Sequence, residues 1–475
     1  MSSHRGNLAS FVKNILLLLL LIPCKVYSQG ISNLWLTGYD CGSGSVCGAS
    51  VINFDFGFAD TTHSNDISMS FSETNAYICD TFGQLLFYTN GIFIANALND
   101  TMMNGDNLNP SLYTSQASIG LNIKQGDLIL KQPGSDHIYY LFHETLFRDQ
   151  SVGDYRVSEL YYSIIDMSLD SGRGAVIQKN VVLLSDTLTI GSITACKHAN
   201  GRDWWIVLHK SQGRRYYEYL FTPSGLTGPF IQDIGYSVLP RDWSWQACFS
   251  PDGNKYANVF TKDTIDVMDF DRCTGLFSNC HSIYLKDSAN ARGVAFSASS
   301  QLMYVSSTKY VYQFDINAVP IDSGKVLLDK FDVFAEPIPP FYTAFFLAQL
   351  ANDGKIYITT GNSTRYFNVI HHPDNLGLGC DFLQHSLLLP TYNSNTIPNF
   401  PNYFLGKEMG SVCDSLPSML SHTSLQQRTG SGIHPSRIVS DDRGEAISPL
   451  NADYNEKLTY HYFIKVTSES LKRKE

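Results

Sequence analysis

Six copies of one short phrase limit what this 475-residue chain can fold into. In each, a run of Asn, Asp, Ser or Gly leads into an aromatic and β-branched stretch. The copies are Asp80-Thr-Phe-Gly-Gln-Leu-Leu-Phe-Tyr-Thr-Asn-Gly91, Gln132-Pro-Gly-Ser-Asp-His-Ile-Tyr-Tyr-Leu-Phe-His143, Ala199-Asn-Gly-Arg-Asp-Trp-Trp-Ile-Val-Leu-His209, Phe249-Ser-Pro-Asp-Gly-Asn-Lys-Tyr-Ala257, Phe296-Ser-Ala-Ser-Ser-Gln-Leu-Met-Tyr-Val305 and Leu350-Ala-Asn-Asp-Gly-Lys-Ile-Tyr-Ile358. Gly253 stands 52 residues after Gly201 and 101 before Gly354, with the Phe296 copy near the midpoint of the longer interval. A period of about 50 residues is that of a propeller or solenoid. Asn-Gly and Asp-Gly supply the positive φ angles of a two-residue hairpin, so the flanking runs pair antiparallel. A second pair of strands follows in several copies, as in Thr264-Ile-Asp-Val-Met-Asp-Phe-Asp271 and Lys309-Tyr-Val-Tyr-Gln-Phe-Asp315, which alternate with period two. Four strands per unit and no helix-period stretch of useful length predict an all-β fold. It is a β-propeller of about seven four-stranded blades, with six or eight as alternatives.

The two ends differ from this body. Residues 1–28 place Arg5 and Lys13 before an apolar run from Ile15 to Ile22 and a small residue at Ser28. That is the plan of a signal peptide cleaved near Ser28, and the run falls short of the roughly 20 residues that span a bilayer. Residues 29–413 form the propeller domain, and 414–475 a poorly patterned tail, partly disordered or short β, with one strand-like run from Leu458 to Val466. An exported chain meets an oxidising compartment, where cysteines cross-link. Cys41 with Cys47, and Cys273 with Cys280, bracket short Gly- or Asn-containing loops that a disulfide closes. Neither loop has the paired knuckles of a zinc site.

Several phrases, in their order along the chain, carry a resemblance. They are the Asp80 phrase, Thr101-Met-Met-Asn-Gly105, Phe249-Ser-Pro-Asp-Gly253, His371-His-Pro-Asp-Asn-Leu-Gly-Leu-Gly-Cys-Asp-Phe382 and Pro398-Asn-Phe-Pro-Asn-Tyr-Phe-Leu-Gly406. Together they resemble the propeller-like N-terminal region of secreted Bacteroidetes proteins associated with gliding motility and type IX secretion. The resemblance covers about residues 30–413 and implies an exported propeller; it assigns no catalytic residue.

Lys+Arg at 34 against Asp+Glu at 44 leaves no basic footprint, which sets nucleic-acid binding aside. No G-x-S-x-G elbow, P-loop or dinucleotide fingerprint stands out. The candidates for chemistry are therefore local. His371, His372 and Asp381 are candidate ligands for a divalent metal, although successive residues of an extended chain diverge. His143 and His209 end equivalent repeated phrases and are placed near a common face or the channel. Asp263, Asp266, Asp269 and Asp271 alternate with apolar residues as in an amphipathic strand rather than a calcium loop. Trp204, Trp205, Trp243 and Trp245 are candidate ligand-contact residues, with burial between blades as the competing role.

The reading that follows is an exported, non-catalytic propeller binding an extracellular polymer or surface protein. It has no predicted cofactor, nucleic-acid partner or membrane span. The alternative is a propeller hydrolase, lyase or lactonase acting on a carbohydrate-like substrate around the central channel.

Overall fold

Each of the six repeated phrases is the turn between the first and second strands of an antiparallel sheet. A computed structural model describes residues 30–42, 46–55, 58–150, 153–239, 244–336 and 341–414, together with the backbone of Leu425–Gln427, Ser448–Pro449 and Tyr460–Ile464. The signal peptide expected over 1–28 lies outside the described residues. Seven sheets follow one another along the chain and form a seven-bladed β-propeller. Their first strands are Leu34–Tyr39, Ala76–Cys79, Asp127–Lys131, Thr194–Lys197, Ser244–Phe249, Ala291–Phe296 and Phe345–Leu350, in blades 1 to 7. Blades 3 to 7 have four strands in meander order, blade 3 with an added short strand, and blades 1 and 2 have three.

The turns differ in detail from the two-residue hairpins expected. Between Ser244–Phe249 and Lys255–Phe260 the chain spends five residues, with Gly253 at φ +77° and its N–H donated to Ser250 O at 2.8 Å. The Ser250 and Asp252 side chains accept the N–H groups of Lys255 and Asn254, which widens the turn while glycine still supplies the left-handed residue. Blade 1 has no such phrase; its first turn is closed by the Cys41–Cys47 disulfide, as expected from the spacing.

Blades pack face to face, so their strands are buried on both sides. Trp205, Tyr216, Tyr256, Met268, Phe270 and Phe277 fill the gap between blades 4 and 5. Val259, Ile265, Val294, Met303, Val305 and Phe314 do the same between blades 5 and 6. The ring closes where the last strand of blade 7, Phe382–Ser394, crosses to blade 1. There Tyr392 N donates to Val46 O at 2.9 Å, and the Thr391 and Ser50 hydroxyls lie 2.6 Å apart.

First strands lie side by side around the axis, so each presents one unpaired edge to the channel. Amide side chains satisfy these edges. Gln246 Nε2 donates to Ala348 O at 2.6 Å, while its Oε1 accepts from Val294 N at 3.1 Å and Ala348 N at 3.0 Å, tying blades 5, 6 and 7. Gln125 makes the same two-way bond to Ala247 N and O. After blade 7 the chain passes along the axis. Asn399 Nδ2 donates to Asp127 O and Ile193 O, where first strands begin. Asn402 Nδ2 then donates to Pro251 O, where one has ended, and Arg272 holds Gly406 O. Gln246→Leu keeps the volume but strips three backbone groups of their partners. It is expected to lower stability by about 2 kcal/mol, read as a shifted denaturation midpoint with unchanged slope.

Cys273 pairs with Cys413, not with Cys280, correcting the local staple expected from spacing. Cys273 lies in the turn after Thr264–Asp271, whereas Cys280 lies inside the next strand, Leu276–Tyr284, beside the Asp266 carboxylate. The tail supplies three short strands, with Tyr460–Ile464 between Leu425–Gln427 and Ser448–Pro449. No helix among the described residues is long and apolar enough to cross a membrane.

Candidate functional site

A defect repeated at the same place in three blades builds the site. In blade 5, Ser244 pairs with Phe260 and Gln246 with Val259, leaving Trp245 as an extra residue. In blade 6, Ala291 pairs with Ser307 and Gly293 with Ser306, leaving Arg292. In blade 7 the slip falls between Phe345 and Ala348 and includes Phe346. A β-bulge bends its strand and re-aims the extra side chain. All three lie where first strands begin, so their side chains meet at one mouth of the channel.

The meeting is close. The Arg292 guanidinium carbon lies 3.8 Å from the centroid of the Trp245 ring, and Lys124 Nζ lies 4.5 Å from it. Phe346 meets Trp245 edge-on at 5.7 Å. Lys124 comes from the segment entering blade 3 and forms an ion pair with Glu73, from the segment entering blade 2. Three blades and the segments entering two others thus converge on one indole that holds two cations by its π system. Burial holds the Arg292 pKa below its usual value, partly offset by Asp263 and Glu73. Trp245 Nε1 and Arg292 Nε and Nη1 are buried and have no hydrogen-bond partner among the described residues. A cleft of about 430 Å³ opens beside Trp245, lined by Glu73, Tyr113, Asn122, Lys124, Asp154, Tyr155 and Trp245 among others. Tyr113 and Tyr155 meet edge to face at 5.3 Å, and Tyr155 is 41% exposed.

Further down the axis a second cavity, of about 230 Å³, is lined by residues such as Trp35, Thr194, Ala247, Phe296, Gln349 and Phe400. No imidazole, carboxylate or cation is among its lining residues. Cys248 borders it, with a thiol pushed up to about 12 by burial.

The residues singled out in the sequence are dispersed. Trp204 and Trp205 are buried between blades, which corrects their expected role as ligand contacts: Trp204 packs against Tyr403, and Trp205 Nε1 donates to Arg272 O at 2.9 Å. Trp243 lies outside the described residues. Of the three described, Trp245 alone lines this cleft.

His371 and His372 lie in the turn after Ser363–Ile370, at the face opposite the mouth. Their N–H groups bond to Asp381 O and Cys380 O, and His371 Nε2 lies 3.1 Å from Ser386 Oγ. The backbone pairing aligns these residues without converging their side chains. No group of three or more His, Cys, Asp or Glu side chains able to hold a metal occurs among the described residues, so the proposed His371–His372–Asp381 set is not assembled.

His143 and His209 end the second strands of blades 3 and 4 and are buried away from the channel. His143 bonds to Asn109 Oδ1 at 2.7 Å and Ser163 Oγ at 2.9 Å. Its neighbour Glu144 turns to the other face and accepts the Gly191 N–H, as strand alternation requires. Asp266 and Asp269 are likewise spent within the sheet, on Ser282 and on Lys255. Sequence reasoning missed Lys124, Arg292, Phe346 and Glu73. Their signal was positional, since Trp245, Arg292 and Phe346 fall at equivalent points of successive repeats.

No protein-family profile matches the chain, and no curated protein matches its sequence. Solved structures share its overall course at low identity. A 6-phosphogluconolactonase-like protein of Bacteroides fragilis is 9% identical, with a TM-score of 0.44 covering 77% of this chain and 97% of that one. A periplasmic gluconolactonase of Pseudomonas aeruginosa is 12% identical, with a TM-score of 0.41 covering 76% and 98%. Sqt1 of Chaetomium thermophilum is also 12% identical, with a TM-score of 0.41 covering 76% and 88%.

Proposed function

We propose that the protein is an exported, non-catalytic binding module whose ligand, an extracellular polymer, seats in the cleft at the channel mouth. One observation carries this reading: Trp245, aimed by a strand bulge and stacked on Arg292, lines a cleft that also displays tyrosine rings, and its buried N–H has no acceptor among the described residues. A buried donor left unpaired costs about 1–3 kcal/mol, a cost that a ligand acceptor at the indole N–H would remove. The cleft volume lies within the usual range for ligand pockets, about 300–1,000 Å³. Two disulfides suit an oxidising compartment, and the resemblance to secreted Bacteroidetes proteins agrees with a surface role.

The hydrolytic alternative needs an acid and a base or an activated water around the channel. The carboxylates at the mouth are otherwise engaged: Glu73 pairs with Lys124, and Asp154 accepts the Tyr155 N–H. The test is incubation of the purified protein with a panel of polysaccharides, scoring retention and released reducing ends together, with and without chelator. Retention without release is expected, and Trp245→Ala weakens it about 30-fold, the effect of losing a central aromatic anchor. Release of reducing ends by the wild-type protein would overturn the reading.

A further inference from the structure

We infer that the mouth selects an uncharged sugar chain, a β-1,4-linked pyranose with equatorial hydroxyls whose ring lies against Tyr155. This rests on the mouth being the ligand site and adds the chemical class it takes.

Charge narrows the class first. The charged residues lining the cleft are Glu73, Lys124 and Asp154. Lys124 is matched by Glu73, and its Nζ also lies against the Trp245 ring, so it offers no free cation to an acidic ligand. Asp154 accepts the Tyr155 N–H at 2.8 Å and stands opposite Asp149 in the pairing of Phe147–Asp149 with Asp154–Asp166. A carboxylate or sulfate brought beside it meets like charge. An ammonium group fares no better near the indole, where Lys124 and the Arg292 guanidinium already lie against the ring. Burying a charge that finds no partner is costly, and an uncharged ring avoids that cost.

The rest of the lining suits such a ring. Tyr113, Leu146, Tyr155, Ile190 and Trp245 supply its aromatic and aliphatic surface. Tyr113 meets Tyr155 edge to face at 5.3 Å and steadies it, while Tyr155 stays 41% exposed. A pyranose with equatorial hydroxyls carries its polar groups around the ring's rim and C–H groups on its two faces, the surface that packs against an aromatic side chain. At the rim of the cleft, the exposed Asn122 spends its carbonyl oxygen on Ser72, which leaves the amide N–H groups for a hydroxyl.

The probes are three hexamers on one β-1,4-linked backbone: cellohexaose, its C6-oxidised acidic form, and the protonated glucosamine hexamer, each titrated calorimetrically into the purified protein. Cellohexaose is expected to bind at least about ten-fold more tightly than either charged hexamer, with affinity that does not fall as salt rises. Tyr155→Ala, at an exposed position where folding is not at stake, should weaken cellohexaose about ten-fold, and Tyr155→Phe, which keeps the ring, should retain it. A charged hexamer that binds as tightly as cellohexaose, or wild-type affinity in Tyr155→Ala, overturns the neutral-sugar assignment and leaves the binding module standing. The same holds if none of the three binds while the polysaccharide panel retains another polymer. Failure to retain any polymer overturns both.

Discussion

Replacing Cys273 and Cys413 together by serine is expected to lower the stability of the propeller by about 4 kcal/mol, where losing the Cys41–Cys47 bridge costs about 2. The two disulfides close very different loops, with sequence separations of 140 and 6. In the chain-entropy account the longer loop removes more freedom from the unfolded state, and the difference grows only as the logarithm of its length. The folded state adds a second reason. The chain leaves blade 7 by way of blade 1, passes along the axis and is fastened at Cys413 to the turn that follows the third strand of blade 5. Arg272, beside that anchor, donates to Lys197 O, His198 O and Gly406 O, so it holds the same exit. Asn399 and Tyr403 reach the inner edges of blades 3 and 4 from the segment that the disulfide retains. Chemical denaturation of the two double-serine variants side by side is the measurement. Equal losses would show that the axial segment stays in place without its anchor.

The ring of blades was legible because its determinants are local. Turn chemistry and period-two runs of aromatic residues repeat at fixed spacing, and each repeated phrase proved to be the same turn of successive blades. Blade 1 escaped the repeat because a disulfide replaces the glycine turn there, and the Cys41–Cys47 spacing was the trace it left. The Cys273–Cys413 bond had no such trace, since nothing local joins residues 140 apart. Trp204 and Trp205 misled because adjacent strand residues point to opposite faces, yet a blade between two others buries both. The mouth was hidden for another reason. A bulge is a one-residue slip between strands, visible only once their pairing is known, and it decides that Trp245 and Arg292 face the channel mouth instead of a neighbouring blade.

Between pH 6.5 and pH 4 the wild-type protein is expected to lose about 3 kcal/mol of stability relative to His209→Phe. His209 is buried against Tyr216, at 4.5 Å between ring centroids, and Phe260, at 5.7 Å. Neither of its ring nitrogens has a hydrogen-bond partner among the described residues. Burial pulls its pKa down to about 4, offset only in part by the neighbouring Lys210 backbone. A histidine whose folded pKa lies below its unfolded value of about 6.5 binds fewer protons folded than unfolded. Its contribution is therefore complete above pH 6.5 and is lost as pH falls towards 4, at about 1.4 kcal/mol per pH unit. Glu218 works in the opposite sense: burial raises it to about 8, so it favours the folded state at low pH and loses that contribution as pH rises through 4.5 to 8. Asp127 and Glu144 are raised by burial as well. The net pH profile of the wild type thus mixes opposing groups, and only the difference between two proteins that share those acids isolates the imidazole. Phenylalanine keeps the edge-to-face aromatic contacts and abandons no partner. At His143 the same change would strand Asn109 and Ser163. Denaturant midpoints of both proteins at half-unit pH steps provide the measurement. Parallel curves across pH 4 to 6.5 would mean that His209 is protonated in the folded state through a partner not seen in the buried aromatic niche.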